Sequence, residues 1–157
     1  MGRRSIVGLA VFVVLASGFV ARPVSAAAPQ IEDPAGDHPV PFMDFTAVKL
    51  AIGQDKTGPV LETSFVLAGA VSPESRATMT GYSFTAKVGK CDLLIRFVGY
   101  PDGAFTSFAT TACGDRDTGG TWKIAGNTIT VFSPLRDLKG VAVGQTMTKL
   151  AAFNSPV

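Results

Sequence analysis

From Asp44 to the end of the chain, apolar and polar residues alternate with a period of two. Because successive side chains of a β-strand point to opposite faces, this alternation is typical of strands that bury one face. An amphipathic helix would need an apolar period of about 3.6 residues, and no segment sustains one. The alternating runs are Phe45–Ile52, Leu61–Leu67, Tyr82–Val88, Cys91–Phe97, Phe105–Cys113, Thr121–Ala125, Thr128–Phe132 and Val141–Phe153.

The alternation also predicts which side chains of three runs point inward. Polar residues occupy the intervening positions, so each run has one face for a core and one for solvent. The predicted inward residues are Leu61, Thr63, Phe65, Leu67, Tyr82, Phe84, Ala86, Val88, Cys91, Leu93, Ile95 and Phe97.

Turn-forming residues separate these runs and favour antiparallel pairing. Gly126-Asn127 between two alternating runs predicts a tight two-residue hairpin. Ser133–Lys139 can hold one helical turn, with Ser133 as its cap and Pro134 at its first position. About eight short strands in one domain predict an all-β fold, an antiparallel β-sandwich, with a closed β-barrel as the alternative.

Residues 1–26 have the pattern of a secretory signal peptide. Arg3 and Arg4 give a positive start, Ile6–Val20 is apolar, and Val24-Ser25-Ala26 offers small residues for cleavage. The apolar run is shorter than the ~20 residues that a membrane-spanning helix needs. We therefore expect a secreted protein, extracellular or in the cell envelope, that begins near Ala27 and has no membrane span after cleavage.

Removal of this segment changes the charge of the chain. Arg3, Arg4 and Arg22 are three of its 14 basic residues, so the mature chain would carry 11 basic against 12 acidic residues. With no basic stripe to neutralise phosphates, nucleic acid is not an expected partner. The expected organisation is an extended lead-in over 27–43 and a single domain over 44–157.

The two cysteines, Cys91 and Cys113, are both in the mature part. In an oxidising compartment such a pair is usually bridged, and the loop of about 22 residues would stabilise the fold by roughly 3 kcal/mol. A zinc site or a Cys–His pair is the alternative, but His38 is the only histidine. A disulfide with Cα atoms within about 7 Å is therefore predicted.

Carboxylates cluster just before the first long strand. Asp33 and Asp37 bracket a glycine turn, and Asp44 opens the strand. Hard oxygen ligands of this kind suit Ca²⁺, whereas Asp side chains can also simply shape a turn by bonding their own backbone. Both interpretations remain open.

The same residues carry a resemblance to a known class of modules. D-P-A-G-D at 33–37, followed by M-D-F-T-A-V-K-L at 43–50, is similar to the opening of exported β-sandwich modules of the carbohydrate-binding, DOMON-like type. The segment G-N-T-I-T-V-F-S-P-L-R-D-L-K-G at 126–140 also resembles their closing part. The resemblance implies a jelly-roll-like sandwich, a structural Ca²⁺ at Asp33, Asp37 and Asp44, and sugar binding in some members.

Exposed aromatic rings would serve a sugar-binding face. Tyr100 precedes a Pro-Asp-Gly turn, and Trp122 lies near another turn, so these two are the candidate ligand-binding residues. Trp122 also shares the period of Ile124, which favours an inward ring and a packing role.

The sequence offers no nucleophile–histidine–carboxylate set, and we expect no catalytic residues and no enzyme. The favoured function is an exported binding or interaction module for a glycan or an extracellular protein, with Ca²⁺ as the one candidate cofactor. A hydrolase or enzyme inhibitor acting from surface loops, and a structural envelope protein, are the alternatives.

Overall fold

The computed structural model describes residues 30–36, 41, 44–71, 80–100, 104–111, 113–114 and 118–156. The strands along these residues are β1 (Ile31–Glu32), β2 (Phe45–Asp55), β3 (Gly58–Leu67), β4 (Thr80–Val88), β5 (Cys91–Gly99), β6 (Phe105–Thr111), β7 (Thr118–Gly119), β8 (Thr121–Ala125), β9 (Thr128–Pro134) and β10 (Met147–Pro156). The prediction of an all-β chain is confirmed. The predicted signal peptide at 1–26 lies outside the described residues.

The strands form two antiparallel sheets of five strands each. One sheet has the order β1-β2-β3-β9-β8, and we call it sheet A; the other, sheet B, has the order β10-β4-β5-β6-β7. β1 lies against β10, and β9 and β8 lie against β6, so the two sheets face each other along their length. The fold is a β-sandwich, which decides against the closed-sheet alternative.

Consecutive strands pair as hairpins, and the last strand returns to an earlier one. β4, β5 and β6 form a meander, and β10 comes back to lie beside β4. This is a Greek-key order, which β-sandwiches commonly contain. The lead-in contributes β1, whose Ile31 and Glu32 pair with Val48 and Ala47 of β2.

The core lies between the sheets and consists of the side chains that the alternation predicted to point inward. Phe65 and Leu67 of sheet A and Phe84, Leu93 and Ile95 of sheet B are at most 1 % exposed. Packing of both inner faces into one apolar layer supplies the main stabilisation of a sandwich. The inward prediction for β3, β4 and β5 is confirmed.

The predicted hairpin at Gly126-Asn127 is also confirmed. Ala125 of β8 pairs with Thr128 of β9, so two residues make the turn, and Gly126 has a φ of 60°. Asn127 connects this turn to the next strand, because its Nδ2 donates to Leu67 O at 2.8 Å. The β2–β3 turn is held differently: hydrogen bonds from Thr57 to the Asp55 carboxylate lower the pKa of Asp55.

The end of the chain departs from the prediction at two points. Ser133 does not cap a helical turn: it is buried in β9, and the turn is a short 3₁₀ segment, Leu135–Asp137, preceded by Pro134. The last strand begins at Met147 rather than at Val141, because Gly144 takes a φ of 86° and the chain turns there.

Candidate functional site

The Asp44 carboxylate connects the start of β2 to Gly36, in the segment that follows β1. Asp44 is only 2 % exposed, and its Oδ2 accepts a hydrogen bond of 2.6 Å from the Gly36 N–H. The backbone of the lead-in is paired beside it, since the Asp33 N–H donates to Thr46 O at 2.9 Å. Asp44 therefore connects the start of β2 to the segment that follows β1, and the turn role that the sequence predicts for Asp33 and Asp37 stays a prediction.

The second oxygen of the same carboxylate is unusual. Asp44 Oδ1 is buried, and no hydrogen-bond donor of the described residues reaches it. A buried polar atom without a partner costs free energy, so such an atom usually has an ion, a water molecule or a function to explain it. This oxygen is the observation that keeps the calcium hypothesis open.

The remaining predicted ligands do not complete a metal site within the described part of the chain. Asp33 lies three residues before Gly36 and is half-buried. Asp37 lies outside the described residues. Among the residues that the structure describes, no three His, Cys, Asp or Glu side chains come together as a metal site would require. Ca²⁺ usually has six to eight oxygen ligands, so calcium binding stays a prediction.

Trp122 is the largest exposed aromatic residue of the described strands. It pairs with the buried Val131, so its side chain lies on the inner face of sheet A, as the alternation predicts. β8 is the edge strand of that sheet, and the residue consequently remains 38 % exposed. A ring on the inner face at a sheet edge can pack against the core and still contact a ligand. The packing interpretation and the ligand-binding interpretation of Trp122 are therefore compatible.

Two phenylalanines of sheet B hold the Trp122 ring. Its centroid lies 5.7 Å from that of Phe97 at an interplanar angle of 75°, and 5.2 Å from that of Phe105 at 60°. Phe97 and Phe105 themselves stack at 5.2 Å. Edge-to-face contacts of this type fix the orientation of a ring, so part of a pre-oriented indole surface faces solvent.

Tyr100 lies at the same end of the β5–β6 hairpin. It follows Gly99, which pairs with Phe105, and its N–H donates to Ala104 O at 2.9 Å. The tyrosine is half-buried, and the Pro-Asp-Gly turn that follows it lies outside the described residues. The Trp122 ring thus contacts Phe105, whereas Tyr100 is connected by its backbone to Ala104, the residue before Phe105.

The predicted disulfide between Cys91 and Cys113 is confirmed, with Cα atoms 5.4 Å apart. The pairing of Leu93 with Thr111, continued by two residues, places the two cysteines directly opposite each other on neighbouring strands. Gly140 packs on the disulfide from the C-terminal segment. Next to it, Thr111 Oγ1 donates to Lys139 O at 2.8 Å. The disulfide and this hydrogen bond therefore connect three segments at this end of the sandwich: the start of β5, the end of β6 and the segment around Gly140.

Sequence reasoning missed an open groove of about 460 Å³ on the outer face of sheet B, with Lys87, Asp92 and Lys149 at its rim. The alternation places Lys87 on an outer face. The alternation does not predict that Lys149 lies at this groove, because the position of Lys149 depends on an irregularity in the pairing of β10 with β4.

Over its described residues the chain has no helix with the length and apolar character needed to cross a membrane. Comparison with protein-family models, with curated proteins and with solved structures finds no match to this chain.

Proposed function

We propose that this protein is an exported, non-enzymatic binding module and that its ligand is a glycan that stacks on Trp122. The observation that supports the proposal is the partly exposed indole, held from within the sandwich by Phe97 and Phe105. A ring that is already oriented loses little conformational freedom when a ligand covers it. Tyr100, at the same end of the hairpin, would extend the contact surface.

A binding role also agrees with the state of the two cysteines and with the histidine content of the chain. Both cysteines are joined in the disulfide, so neither offers a thiolate. The sequence contains a single histidine, His38, which leaves at most one candidate base of that type for any serine. The proposal therefore assigns the aromatic edge to recognition and no residue to catalysis.

We further propose that Ca²⁺ stabilises the module through Asp33, Asp37 and Asp44. The support is the buried Asp44 Oδ1, which has no donor within the described part of the chain although the other oxygen of the same carboxylate accepts a hydrogen bond. A cation beside that oxygen would remove the desolvation penalty.

Trp122 is the only tryptophan of the chain, so its fluorescence reports directly on the proposed site. We expect a bound oligosaccharide, first identified on a glycan array, to shift this emission. Trp122→Ala should weaken binding about tenfold, because an aromatic contact contributes about 0.5–1.5 kcal/mol beyond its buried area and 1.4 kcal/mol is tenfold in Kd. Isothermal titration calorimetry provides the comparison for variants without the fluorophore.

Two variants separate recognition from stability. Trp122→Phe retains most of the packing against Phe105 and should bind with intermediate affinity, while Phe153→Ala removes another aromatic residue, 48 % exposed on a different face, and should bind normally. An array on which the folded protein binds no glycan, or equal affinities for the native protein and Trp122→Ala, would count against the proposal.

Export is testable by intact mass. The secreted product should begin near Ala27 and should take up no alkyl group without reduction, because its two cysteines are bridged. After reduction it should take up two. A secreted product that retains residues 1–26 would contradict the cleavage prediction.

A further inference from the structure

The edge strand β10 contains a bulge opposite β4. Thr148 pairs with Lys87 and Ala151 pairs with Thr85, so two residues of β10 face the single Ala86 between those partners. Bulges of this kind re-aim a side chain and recur beside functional sites. In this bulge the re-aimed residue is Lys149.

Lys149 adopts a backbone conformation that disfavours lysine. Its φ is 52°, and it is the only residue other than glycine with a positive φ in the described part of the chain. Glycine would take this conformation without steric penalty, whereas an L side chain is strained in it. Strained residues are concentrated at sites where the side chain is needed, so the lysine ammonium, and not the turn itself, is the feature to explain.

The bulge borders the open groove on the outer face of sheet B. This groove has a volume of about 460 Å³, within the range of small-molecule sites. Thr85 and Lys87 of β4 and Asp92 and Leu94 of β5 line it, together with Lys149. Ala86, Leu93 and Leu94 give the groove its apolar surface, and Thr111 adds a further hydroxyl group. Polar groups that can donate and accept therefore border an apolar surface, a composition suited to a ligand with hydroxyl groups and an apolar ring face.

The groove carries one uncompensated positive charge among the described residues. Lys87 Nζ lies 3.1 Å from Asp92 Oδ1, so these two charges balance each other. Lys149 has no ion pair within that part of the chain and is exposed at the rim. The complementary ligand group is an anion.

We infer that this groove binds a carboxylated sugar residue, a uronic acid, with its carboxylate on the Lys149 ammonium. The hydroxyl groups would bond to Asp92 and Thr85, and the C–H face of the ring would lie on Leu94. The choice of a sugar as the carrier of the carboxylate rests on the proposed function, whereas the choice of an anion rests on the groove alone. This site is separate from Trp122, because Leu94 and Phe97 lie on opposite faces of β5.

The test is a titration of the ¹⁵N-labelled protein with glucuronate, glucose and acetate, followed by NMR shifts of the Thr85, Lys87, Asp92 and Leu94 amides. We expect glucuronate to shift these signals, and glucose and acetate to bind at least tenfold more weakly, since each offers only half of the contacts. Raising the ionic strength should weaken glucuronate binding, because the charge pair is exposed.

Three variants separate the charge of Lys149 from its strain. Lys149→Gln keeps the length of the side chain without the charge and should lower glucuronate affinity at least tenfold, while Lys149→Arg keeps the charge and should stay within a few fold of the native protein. Lys149→Gly should also lose binding, yet raise the melting temperature by several degrees because the strain is relieved.

Glucuronate that shifts none of the four amides, or that binds Lys149→Gln as well as the native protein, would overturn the assignment. Acetate binding equal to glucuronate binding would reduce the groove to a general anion contact and would overturn the sugar. The two proposals have separate readouts in the native protein: a glucuronate titration that shifts the Trp122 indole signal and none of the four amides would place the ligand at the aromatic edge instead.

Discussion

Gly140→Ala is expected to lower the free energy of unfolding of the oxidised protein by about 2–5 kcal/mol. This loss combines the cost of overpacking with the cost of a left-handed backbone conformation for alanine. Gly140 has a φ of 84°, and a Cβ there would lie 2.5 Å from Cys91 Sγ and 3.4 Å from Cys113 Cβ. The disulfide cannot move away easily, because Cys91 begins β5 in the centre of sheet B. Urea unfolding of Gly140→Ala against the native protein measures the difference.

Gly144→Ala is the matched control for the backbone part of this effect. Gly144 has nearly the same φ, 86°, but apart from its two chain neighbours no atom of the described residues lies within 4 Å of the position that its Cβ would occupy. It should therefore show only the backbone penalty of about 1–2 kcal/mol. Equal losses for Gly140→Ala and Gly144→Ala would mean that contact with the disulfide contributes nothing.

Removal of the disulfide completes a double-mutant cycle. The Cys91→Ala, Cys113→Ala protein should lose roughly 3 kcal/mol, as expected for a closed loop of this length. With both sulfurs absent, a further Gly140→Ala change should cost only the backbone term, so the two changes should be far from additive. Additive losses would show that Gly140 and the disulfide do not interact.

The parts of the fold that follow from local rules could be predicted from the sequence. Phe65, Phe84 and Ile95 were placed on inner faces by alternation alone, because the direction of a strand side chain depends only on its position along the strand. The hairpin at Gly126-Asn127 likewise depends on two residues that accept its backbone conformation. The disulfide followed from the cysteine count and spacing.

Long-range pairing could not be predicted. The position of β10 beside β4, and the bulge that aims Lys149 at the groove, depend on which strands meet in sheet B. The partial exposure of Trp122 has the same origin, since the ring points inward but its strand is the last of sheet A. Alternation predicts the face of a residue and says nothing of how far its strand lies from a sheet edge.

The candidate metal site depends both on local sequence, which can be predicted, and on long-range packing, which cannot. The sequence predicts Asp44 at the start of a strand, and the structure places it directly before β2, where its Oδ2 accepts a hydrogen bond from the Gly36 N–H. That one oxygen would be bonded and the other left without a donor depends on the packing of the lead-in against β2.

Calcium is expected to raise the melting temperature of the native protein by several degrees, and chelator to reverse the rise. Ligand that binds only the folded state stabilises it by about 2.7 kcal/mol at a hundredfold excess over Kd. If the three predicted ligands form the site, their carboxylates repel one another when the metal is absent, and Asp44 Oδ1 has no hydrogen-bond partner among the described residues. A calorimetric melt over a calcium titration measures the effect.

Asp44→Asn gives the sharpest form of this test. The amide oxygen can still accept from the Gly36 N–H, so the turn remains, but the negative charge beside the cation is lost. We expect this variant to melt in chelator at or above the native temperature, because a buried charge has been removed, and to show no response to calcium. Asp137→Asn, an exposed change in the 3₁₀ turn, should respond as the native protein does.

The turn interpretation predicts a different set of results, and the two can be told apart in one experiment. If Asp33 and Asp37 only shape the turn, calcium leaves every melt unchanged and Asp37→Ala costs about 1 kcal/mol with or without the metal. If they bind calcium, Asp37→Ala abolishes the response to the metal, and its loss of stability is larger in calcium than in chelator. A calcium response that survives Asp44→Asn would place the cation elsewhere on the protein and leave the buried oxygen of Asp44 to be explained by water.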